Sequence, residues 1–293
     1  MPLRSFLFAP ANHARRVEKS LTLDADAVIL DLEDAVAVAE KPGARALAVQ
    51  ALQGPRRCKG YIRVNAMDTP FCWGDLQAVV APGVDGIVLP KVESASGLLA
   101  VQWVLEQLER ERGLPAGGID LLPILETARG VRAVDAILGA GCRVRRVAFG
   151  AGDYSLDIGV TWSRDEAESR HARDVIVTAS RAHGLEAPID SVWARLEDGD
   201  GLVVSARHAA AIGYQGKMCI HPSQLGPVHA AFTPTAEEVG FARRVVDGFA
   251  LAEAQGISAF RVDGKFVDYP ILYRARRVIA IAEGIAAGAA GAS

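Results

Sequence analysis

The sequence predicts a (β/α)8 barrel, the TIM-barrel fold, with a C-terminal helical extension. Eight short apolar runs alternate with longer amphipathic stretches, the order expected of strand–helix units. The runs are also too continuously apolar to have one face in water, as expected of parallel strands covered on both sides. A doubly wound sheet is the competing fold for the same alternation. The predicted strands are Ser5–Ala9, Ala27–Leu32, Tyr61–Val64, Gly86–Leu89, Asp120–Leu125, Val147–Gly150, Ala187–Val192 and Lys217–Ile220.

The predicted helices follow these strands. Asn12 is the candidate N-cap of a helix that ends near Leu23, and Ser94 of a longer helix that ends near Gly113. We assign residues 1–232 to the barrel with its closing helix and residues 233–293 to a helical extension or lid. An irregular segment separates the last two helices. The other helical stretches are Val38–Leu52, Thr127–Leu138, Arg164–His183, Gly201–Ile212, Thr235–Ala254 and Tyr273–Ala287.

Composition and motif searches exclude several classes of protein. The chain carries 32 Lys and Arg against 35 Asp and Glu, a net charge of -3, so no basic field favours nucleic acid. It contains no run of 18 uncharged apolar residues that would predict a membrane helix. The four cysteines form no CxxC pair, which predicts reduced thiols. The apolar run after Arg4 is too short for a signal peptide and lacks a clear cleavage site, so we expect a cytoplasmic location. Serine-hydrolase, zinc-protease, P-loop and complete GxGxxG motifs are also missing from the sequence.

Polar residues follow the predicted strands, and in a barrel these strand ends meet at one face. Several carboxylates meeting there would repel one another unless a cation neutralised them. Oxygen ligands such as Glu126 and Asp153 suit Mg²⁺ or Mn²⁺. The alternative is that these carboxylates cap helices or lie in solvated loops. The strand-end residues are Asn12, Asp31, Glu33, Asp34, Arg63, Asn65, Lys91, Glu126, Asp153, Asp190 and His221.

Two groups of basic residues have open interpretations. Arg63 lies inside an apolar run, so its guanidinium needs an anion. That anion is either a substrate carboxylate or a structural partner, Asp31 or Glu33. The cluster of Arg15, Arg16 and Lys19 at the start of the first helix either binds phosphate or is solvated at the surface.

At these positions the sequence resembles the citrate lyase β-subunit-like family of CoA-ester lyases, within the magnesium-dependent HpcH/HpaI-type aldolases. The resemblance covers nearly the whole chain. His13 and Ala11 depart from the arginine and glycine common in the family. The matching segments are Arg4–Asn12 (RSFLFAPAN), Ala27–Val36 (AVILDLEDAV), Arg63–Asn65 (RVN), Leu89–Glu93 (LPKVE), Pro123–Thr127 (PILET), Phe149–Tyr154 (FGAGDY), Gly216–Pro222 (GKMCIHP) and Gly264–Pro270 (GKFVDYP).

The resemblance implies roles for individual residues. Glu126 and Asp153 would bind Mg²⁺, which Mn²⁺ can replace, and Glu126 and Arg63 would contact the substrate. Asp268 would enter a neighbouring subunit's site as the acid/base of a homo-oligomer, with a trimer favoured. The residues implied to support the metal's waters are Glu33 and Asp34, and those implied to bind CoA are Asn12, Arg15, Arg16 and Lys19.

The implied reaction is the reversible cleavage of a 3-hydroxy-3-carboxyacyl-CoA to acetyl-CoA and a 2-oxo acid. Citramalyl-CoA, which yields pyruvate, is the favoured substrate, with malyl-CoA and methylmalyl-CoA as alternatives. One further alternative is an aldolase acting on free hydroxy-oxo acids. Another is a citrate lyase β-type subunit that acts on an acyl carrier or only binds it.

Overall fold

The computed structural model describes residues 3–254, 256 and 258–291. Residues Leu3–His229 form one compact unit, and the described residues from Ala230 onward form a second. This division falls three residues before the boundary predicted from the sequence. Each unit has its own hydrophobic core.

The first unit is a closed barrel of eight parallel strands, which confirms the predicted fold. Each strand pairs with the next along the chain, and β1 pairs with β8 to close the ring. Its inner core is apolar and includes Phe6, Ile29, Val88 and Met218. The strands are β1 (Ser5–Pro10), β2 (Ala27–Asp31), β3 (Lys59–Arg63), β4 (Gly86–Leu89), β5 (Asp120–Leu125), β6 (Ala148–Phe149), β7 (Ile189–Asp190) and β8 (Gly216–Cys219).

Helices follow the strands, as predicted, but two helices, Cys72–Val79 and Ala151–Asp157, were not predicted. The helix Leu225–Phe232 lies where the closing helix of the barrel was expected, and the predicted helix 127–138 is divided into two at Ala133. The helices of this part of the chain are α1 (Ala14–Leu21), α2 (Lys41–Leu52), α3 (Cys72–Val79), α4 (Ala95–Glu111), α5 (Ala128–Arg132), α6 (Val134–Leu138), α7 (Ala151–Asp157), α8 (Arg170–Ala182), α9 (Gly199–Ile212) and α10 (Leu225–Phe232).

The two predicted N-caps have different outcomes. The hydroxyl of Ser94 accepts a hydrogen bond from the backbone N–H of Gly97 at 3.1 Å, which confirms it as the N-cap of α4. Asn12 is wrong as the cap of α1, because His13 occupies that position and makes no side-chain cap bond. The Asn12 amide instead donates to Glu40 at 2.8 Å, so a contact distant in sequence competes with the local one.

The second unit contains two helices and a hairpin. Helices α11 (Ala236–Glu253) and α12 (Tyr269–Gly291) were predicted, whereas the hairpin of β9 (Phe260–Val262) and β10 (Lys265–Val267) replaces the irregular segment. Asp263 and Gly264, both with positive φ, form its turn. An Asp-Gly pair between short apolar runs is a strong hairpin signal, so this hairpin could have been predicted from the sequence.

Candidate active site

The carboxyl-terminal ends of β2 to β6 bring together a cluster of charged side chains. Because neighbouring parallel strands end at the same face, residues distant in sequence become neighbours. The last residue of β2, Asp31, is in register with the last residue of β3, Arg63. We call this set the rim cluster; its members are Asp31, Glu33, Arg63, Lys91, Glu126 and Asp153.

Glu126 is the most deeply buried carboxylate of the rim cluster facing the cleft, with 2% of its surface exposed. Its Oε1 accepts one hydrogen bond, from the backbone N–H of Lys91 at 2.9 Å. Burial, and then the negative charge of Asp153, raise the pKa of Glu126 to about 8. A carboxylate in this position gains most from a cation placed beside it.

Gly150 makes room for Glu126. A Cβ atom at residue 150 would lie 2.4 Å from Glu126 Oε2 and 2.7 Å from its Cβ, so a larger residue would displace the carboxylate. At Gly150 the close approach is to a side chain of the protein itself.

Asp153 lies in the first turn of α7, a helix that begins directly after β6. The hydroxyl of Ser191 accepts a hydrogen bond from the N–H of Ala151 at 2.8 Å and fixes the start of this helix. Asp153 is half-buried, with 36% of its side chain exposed, and its Oδ1 lies 3.9 Å from Lys91 Nζ. It therefore stands at the boundary between Glu126 and solvent.

Arg63 is held by carboxylates of the protein. Its Nε and Nη2 donate to the two oxygens of Asp31, both at 2.7 Å, and its Nη1 lies 2.9 Å from Glu33 Oε2. Burial opposes the charge, but Asp31 and Glu33 raise the pKa of the guanidinium. The structural ion pair is thus present, and a contact with substrate stays a prediction. Asp34 is exposed and 4.0 Å from Arg63 Nη2.

Lys91 links the acidic members of the cluster. Its Nζ donates to Glu33 Oε1 at 2.7 Å, and although burial opposes it, this bond raises the pKa of Lys91 to about 12. Its backbone has a φ of 51°, a left-handed conformation that costs a residue with a side chain on the order of 1–3 kcal/mol. The sequence placed Lys91 at a strand end but assigned it no role.

A cleft of about 510 Å³ opens beside Glu126 and Asp153. Of the described residues that line it, Lys91 alone carries a positive charge. Apolar side chains, including Met67 and Leu156, form much of its wall. The lining residues are Met67, Asp68, Pro90, Lys91, Val92, Glu93, Ser94, Gly97, Leu98, Glu126, Thr127, Asp153, Leu156 and Asp157.

Other predicted strand-end residues are engaged elsewhere. Asn65 bonds to Lys41 and Asp75. His221 is an exposed cap that bonds to Ser223. Asp190 is completely buried and accepts hydrogen bonds from Arg173 and Lys217.

The residues predicted to bind CoA or act as acid/base lie outside the cleft lining. Arg15, Arg16 and Lys19 are exposed on α1, with no acidic residue in its first turn. The Oδ1 of Asn12 is buried and has no hydrogen-bond partner within the described part of the chain. Asp268 lies in the second unit at the start of α12, where its Oδ1 accepts from the N–H of Ile271 at 3.2 Å.

The donor set of Glu126 and Asp153 fits a magnesium ion. The negative charge of Asp153 raises the pKa of Glu126, and a divalent cation shared by the two carboxylates would neutralise this repulsion. In the described ranges, no three His, Cys, Asp or Glu side chains form a metal-binding group. Mg²⁺ is commonly bound by one or two carboxylates, with water and substrate as its other ligands.

Comparisons with known proteins agree with this chemistry. Residues 4–222 match the HpcH/HpaI aldolase/citrate lyase family. Citrate lyase subunit beta of Escherichia coli is 36% identical over 96% of this chain and 93% of its own length. A (3S)-malyl-CoA thioesterase of Cereibacter sphaeroides is 35% identical over 98% of this chain and 96% of its own length. The human mitochondrial citramalyl-CoA lyase is 31% identical over 97% of this chain and 87% of its own length.

A solved structure is also similar. The protein CitE from Mycobacterium tuberculosis, crystallised with magnesium, acetoacetate and coenzyme A, superposes with a TM-score of 0.76 at 32% identity. The match covers 96% of this chain and 98% of that one. In the part of the chain that the structure describes, no helix is long and apolar enough to cross a membrane. By sequence and by fold, this chain belongs to the HpcH/HpaI aldolase/citrate lyase family.

Proposed function

We propose that this protein is a magnesium-dependent carbon–carbon lyase that cleaves citramalyl-CoA reversibly to acetyl-CoA and pyruvate. The observation that carries the proposal is the buried Glu126, its pKa raised to about 8, next to Asp153 at the wall of a cleft. The relatives named citrate lyase and citramalyl-CoA lyase support the reaction class. The relative crystallised with magnesium and coenzyme A supports the cofactor and the thioester.

Glu126 and Asp153 would hold the magnesium ion. When bound there, the ion supplies a Lewis acid that polarises the hydroxyl and carboxylate oxygens of the substrate. Glu126 reaches this position because Gly150 leaves space for it, and the N–H of Lys91 fixes its Oε1. Glu33 and Asp34 lie on the same rim, where they can accept hydrogen bonds from water.

Arg63 retains capacity to bind the substrate. A guanidinium has five N–H groups. Those on Nε and Nη2 donate to Asp31, and Nη1 forms an ion pair with Glu33 Oε2 at 2.9 Å. The N–H groups that make no hydrogen bond to these carboxylates can donate to the substrate carboxylate or to the enolate oxygen that forms as the carbon–carbon bond breaks. A fixed positive charge at that oxygen stabilises the developing negative charge.

Asp268 is our candidate for the proton donor to the enolate carbon, acting in a neighbouring subunit of a homotrimer. We expect Asp268→Asn to lower kcat by about 10²- to 10⁴-fold, the usual contribution of general acid/base catalysis. Co-expression with Glu126→Gln tests the arrangement, because mixed trimers would contain some sites with both residues intact. Recovered activity supports action between subunits. Asp263→Asn, in the turn of the hairpin that precedes Asp268, is the control. Wild-type turnover by Asp268→Asn would reject the role.

The basic start of α1 is our candidate for the CoA phosphates. Arg15, Arg16 and Lys19 are exposed near a helix N-terminus that has no acidic residue of its own. The unpartnered Oδ1 of Asn12 adds an acceptor. Replacing Arg15 and Arg16 by Gln is expected to raise KM for the CoA thioester while leaving kcat nearly unchanged.

One assay separates the alternatives. Purified protein with Mg²⁺ or Mn²⁺ is incubated with citramalyl-CoA, malyl-CoA, methylmalyl-CoA and the free hydroxy-oxo acids. We expect acetyl-CoA and pyruvate from citramalyl-CoA, and loss of both products after chelation of the metal. Free CoA with malate would favour a thioesterase, the activity for which one relative is named. Cleavage of the free acids alone would favour an aldolase. Turnover of an acyl-carrier thioester alone would favour a citrate lyase subunit.

A further inference from the structure

Lys91 contacts the rim cluster in two separate ways. Its backbone N–H donates to Glu126 Oε1 at 2.9 Å, and its ammonium bonds to Glu33 Oε1 at 2.7 Å. The same Nζ lies 3.9 Å from Asp153 Oδ1. One residue thus contacts or approaches both proposed metal ligands and Glu33, the carboxylate that also pairs with Arg63.

The backbone of Lys91 is in a conformation that favours glycine. Its φ of 51° lies in the left-handed region, which residues with a Cβ rarely adopt. Strained residues of this kind persist where the surrounding structure requires them, and they concentrate at functional sites. Here the conformation accompanies an N–H aimed at Glu126. Lysine is therefore retained where glycine would be easier, which points to a use for its side chain.

That use concerns charge. The ammonium of Lys91 is the one positive charge among the described residues that line the cleft, and a third of its side chain is exposed there. Arg63, the other cation of the rim cluster, is turned toward Asp31 and Glu33 and does not line the cleft. A divalent cation bound by Glu126 and Asp153 would lie close to Lys91 and be repelled by it.

We propose that Lys91 is a positioning residue that fixes Glu126 through its backbone N–H and restrains Glu33 and Asp153 through its ammonium, whose positive charge weakens the hold of Glu126 and Asp153 on the divalent cation. Lys91 thereby keeps the carboxylates of the rim cluster in place for turnover. It also makes Glu126 and Asp153 bind the cation less tightly than their negative charge alone would. The cation-binding part of this proposal does not depend on the identity of the substrate. The turnover part rests on the proposed lyase function.

The test measures metal binding and turnover separately. Mn²⁺ is titrated into the full-length protein without substrate, and free Mn²⁺ is followed by electron paramagnetic resonance. The variants are Lys91→Met, which removes the charge, Lys91→Arg, which keeps it, and Lys91→Gly, which removes it while relieving the left-handed backbone. Lys59→Met removes the same charge from a lysine at the opposite end of β3, where it pairs with Asp85.

We expect Lys91→Met and Lys91→Gly to bind Mn²⁺ about tenfold more tightly than wild type, because a nearby positive charge is gone. Their kcat should fall by about 10- to 100-fold, as for other groups that orient metal ligands. Lys91→Arg should keep near-wild-type Mn²⁺ affinity and recover part of the turnover, and Lys59→Met should change neither quantity. Tighter metal binding with slower turnover separates positioning from simple loss of structure, which would weaken both.

Unchanged or weaker Mn²⁺ binding by both Lys91→Met and Lys91→Gly would overturn the proposal, as would an equal change in Lys59→Met. Thermal denaturation checks that each variant is folded, and Lys91→Gly provides a folded case without backbone strain. If the wild type cleaves none of the thioesters, the proposed function fails. The Mn²⁺ titration still decides whether Lys91 opposes the cation.

Discussion

Two clusters of buried charge in the barrel unit have opposite electrostatic properties. In the rim cluster, the pKa of Glu126 is raised to about 8. In the second cluster, which we call the wall network, Asp190 is completely buried between Arg173 and Lys217. Although burial alone would raise it, these two cations hold the pKa of Asp190 at about 2. The wall network comprises Glu166, Ser169, Arg173, Asp190, Ser205 and Lys217.

The difference lies in how completely each carboxylate is bound. Asp190 receives one charged hydrogen bond at each oxygen, at 2.7 Å from Arg173 and 2.6 Å from Lys217. Glu126 receives one backbone N–H and faces a second carboxylate at a cleft. A buried charge with internal partners serves the fold, whereas one left short of partners is available for an ion or a substrate.

The largest expected effect is on turnover. Replacing Glu126 by Gln removes a metal ligand, and we expect kcat/KM to fall by about 10⁴-fold, because metal catalysis contributes several kcal/mol. Steady-state kinetics with Mg²⁺ checks this. Glu109 is a buried carboxylate bound to Arg143 and to two backbone N–H groups away from the cleft. Glu109→Gln is therefore the matched control and should lose stability while keeping turnover. Equal losses of turnover in both variants would refute the distinction between catalytic and structural buried carboxylates.

Breaking the wall network should affect stability instead. Asp190→Asn leaves the buried Lys217 without its anion and Arg173 paired with Glu166 alone, and we expect a loss of about 3–5 kcal/mol in the free energy of unfolding. Denaturant titration measures it. The exposed pair of Asp263 with Arg244 supplies the control, because Asp263→Asn should cost less than about 1 kcal/mol. A near-neutral Asp190→Asn would show that the network is not structural.

A smaller effect on turnover is expected when Glu126 is displaced rather than removed. In Gly150→Ala the new methyl group overlaps Glu126 Oε2, while the backbone φ of -111° suits alanine. We expect kcat/KM to fall by about 10- to 100-fold with weaker Mg²⁺ binding. Gly43→Ala, where the added Cβ meets open space, is the control. Wild-type Mg²⁺ affinity in Gly150→Ala would mean that Glu126 does not bind the ion.

The last expected effect, on stability and not on turnover, is a pH dependence in the metal-free protein. The folded-state pKa of Glu126 is about 8 against an ordinary value of 4.5, so the folded state holds this proton more tightly. Its contribution to stability is therefore present below pH 4.5 and is lost as pH rises toward 8. The loss is at most about 1.4 kcal/mol per pH unit for one proton. Chemical denaturation of wild type and Glu126→Gln, from pH 5 to 8.5, should show the slope in wild type alone.

The barrel fold and the pairing of Glu126 with Asp153 could be predicted from the sequence because they depend on local patterns. The eight apolar runs and the Ser94 cap are encoded by neighbouring residues, and the strand-end rule is enough to pair Glu126 with Asp153. The start of α7 depends on Ser191 after β7, and the role of Gly150 on a side chain from β5. Such non-local contacts leave no periodic signal.

Lys91 and Arg63 show the same limit. The sequence indicates that Arg63 needs an anion, but the choice of Asp31 and Glu33 follows from the register of β2 with β3. Lys91 follows β4 and has a left-handed backbone. Its ammonium bonds to Glu33, which follows β2, so the contact spans the intervening strand β3. Neither contact can be derived from a single segment.

The central claim is that the Glu126–Asp153 pair is the divalent cation site. Anomalous diffraction from a crystal soaked in Mn²⁺ tests it most directly. We expect one strong peak within coordination distance of both carboxylates, next to Lys91, and no peak in the wall network. The claim would be contradicted by an Mn²⁺ peak that lies beside other residues. It would also be contradicted if saturating Mn²⁺ gave no peak while Glu126 still had no cation beside it.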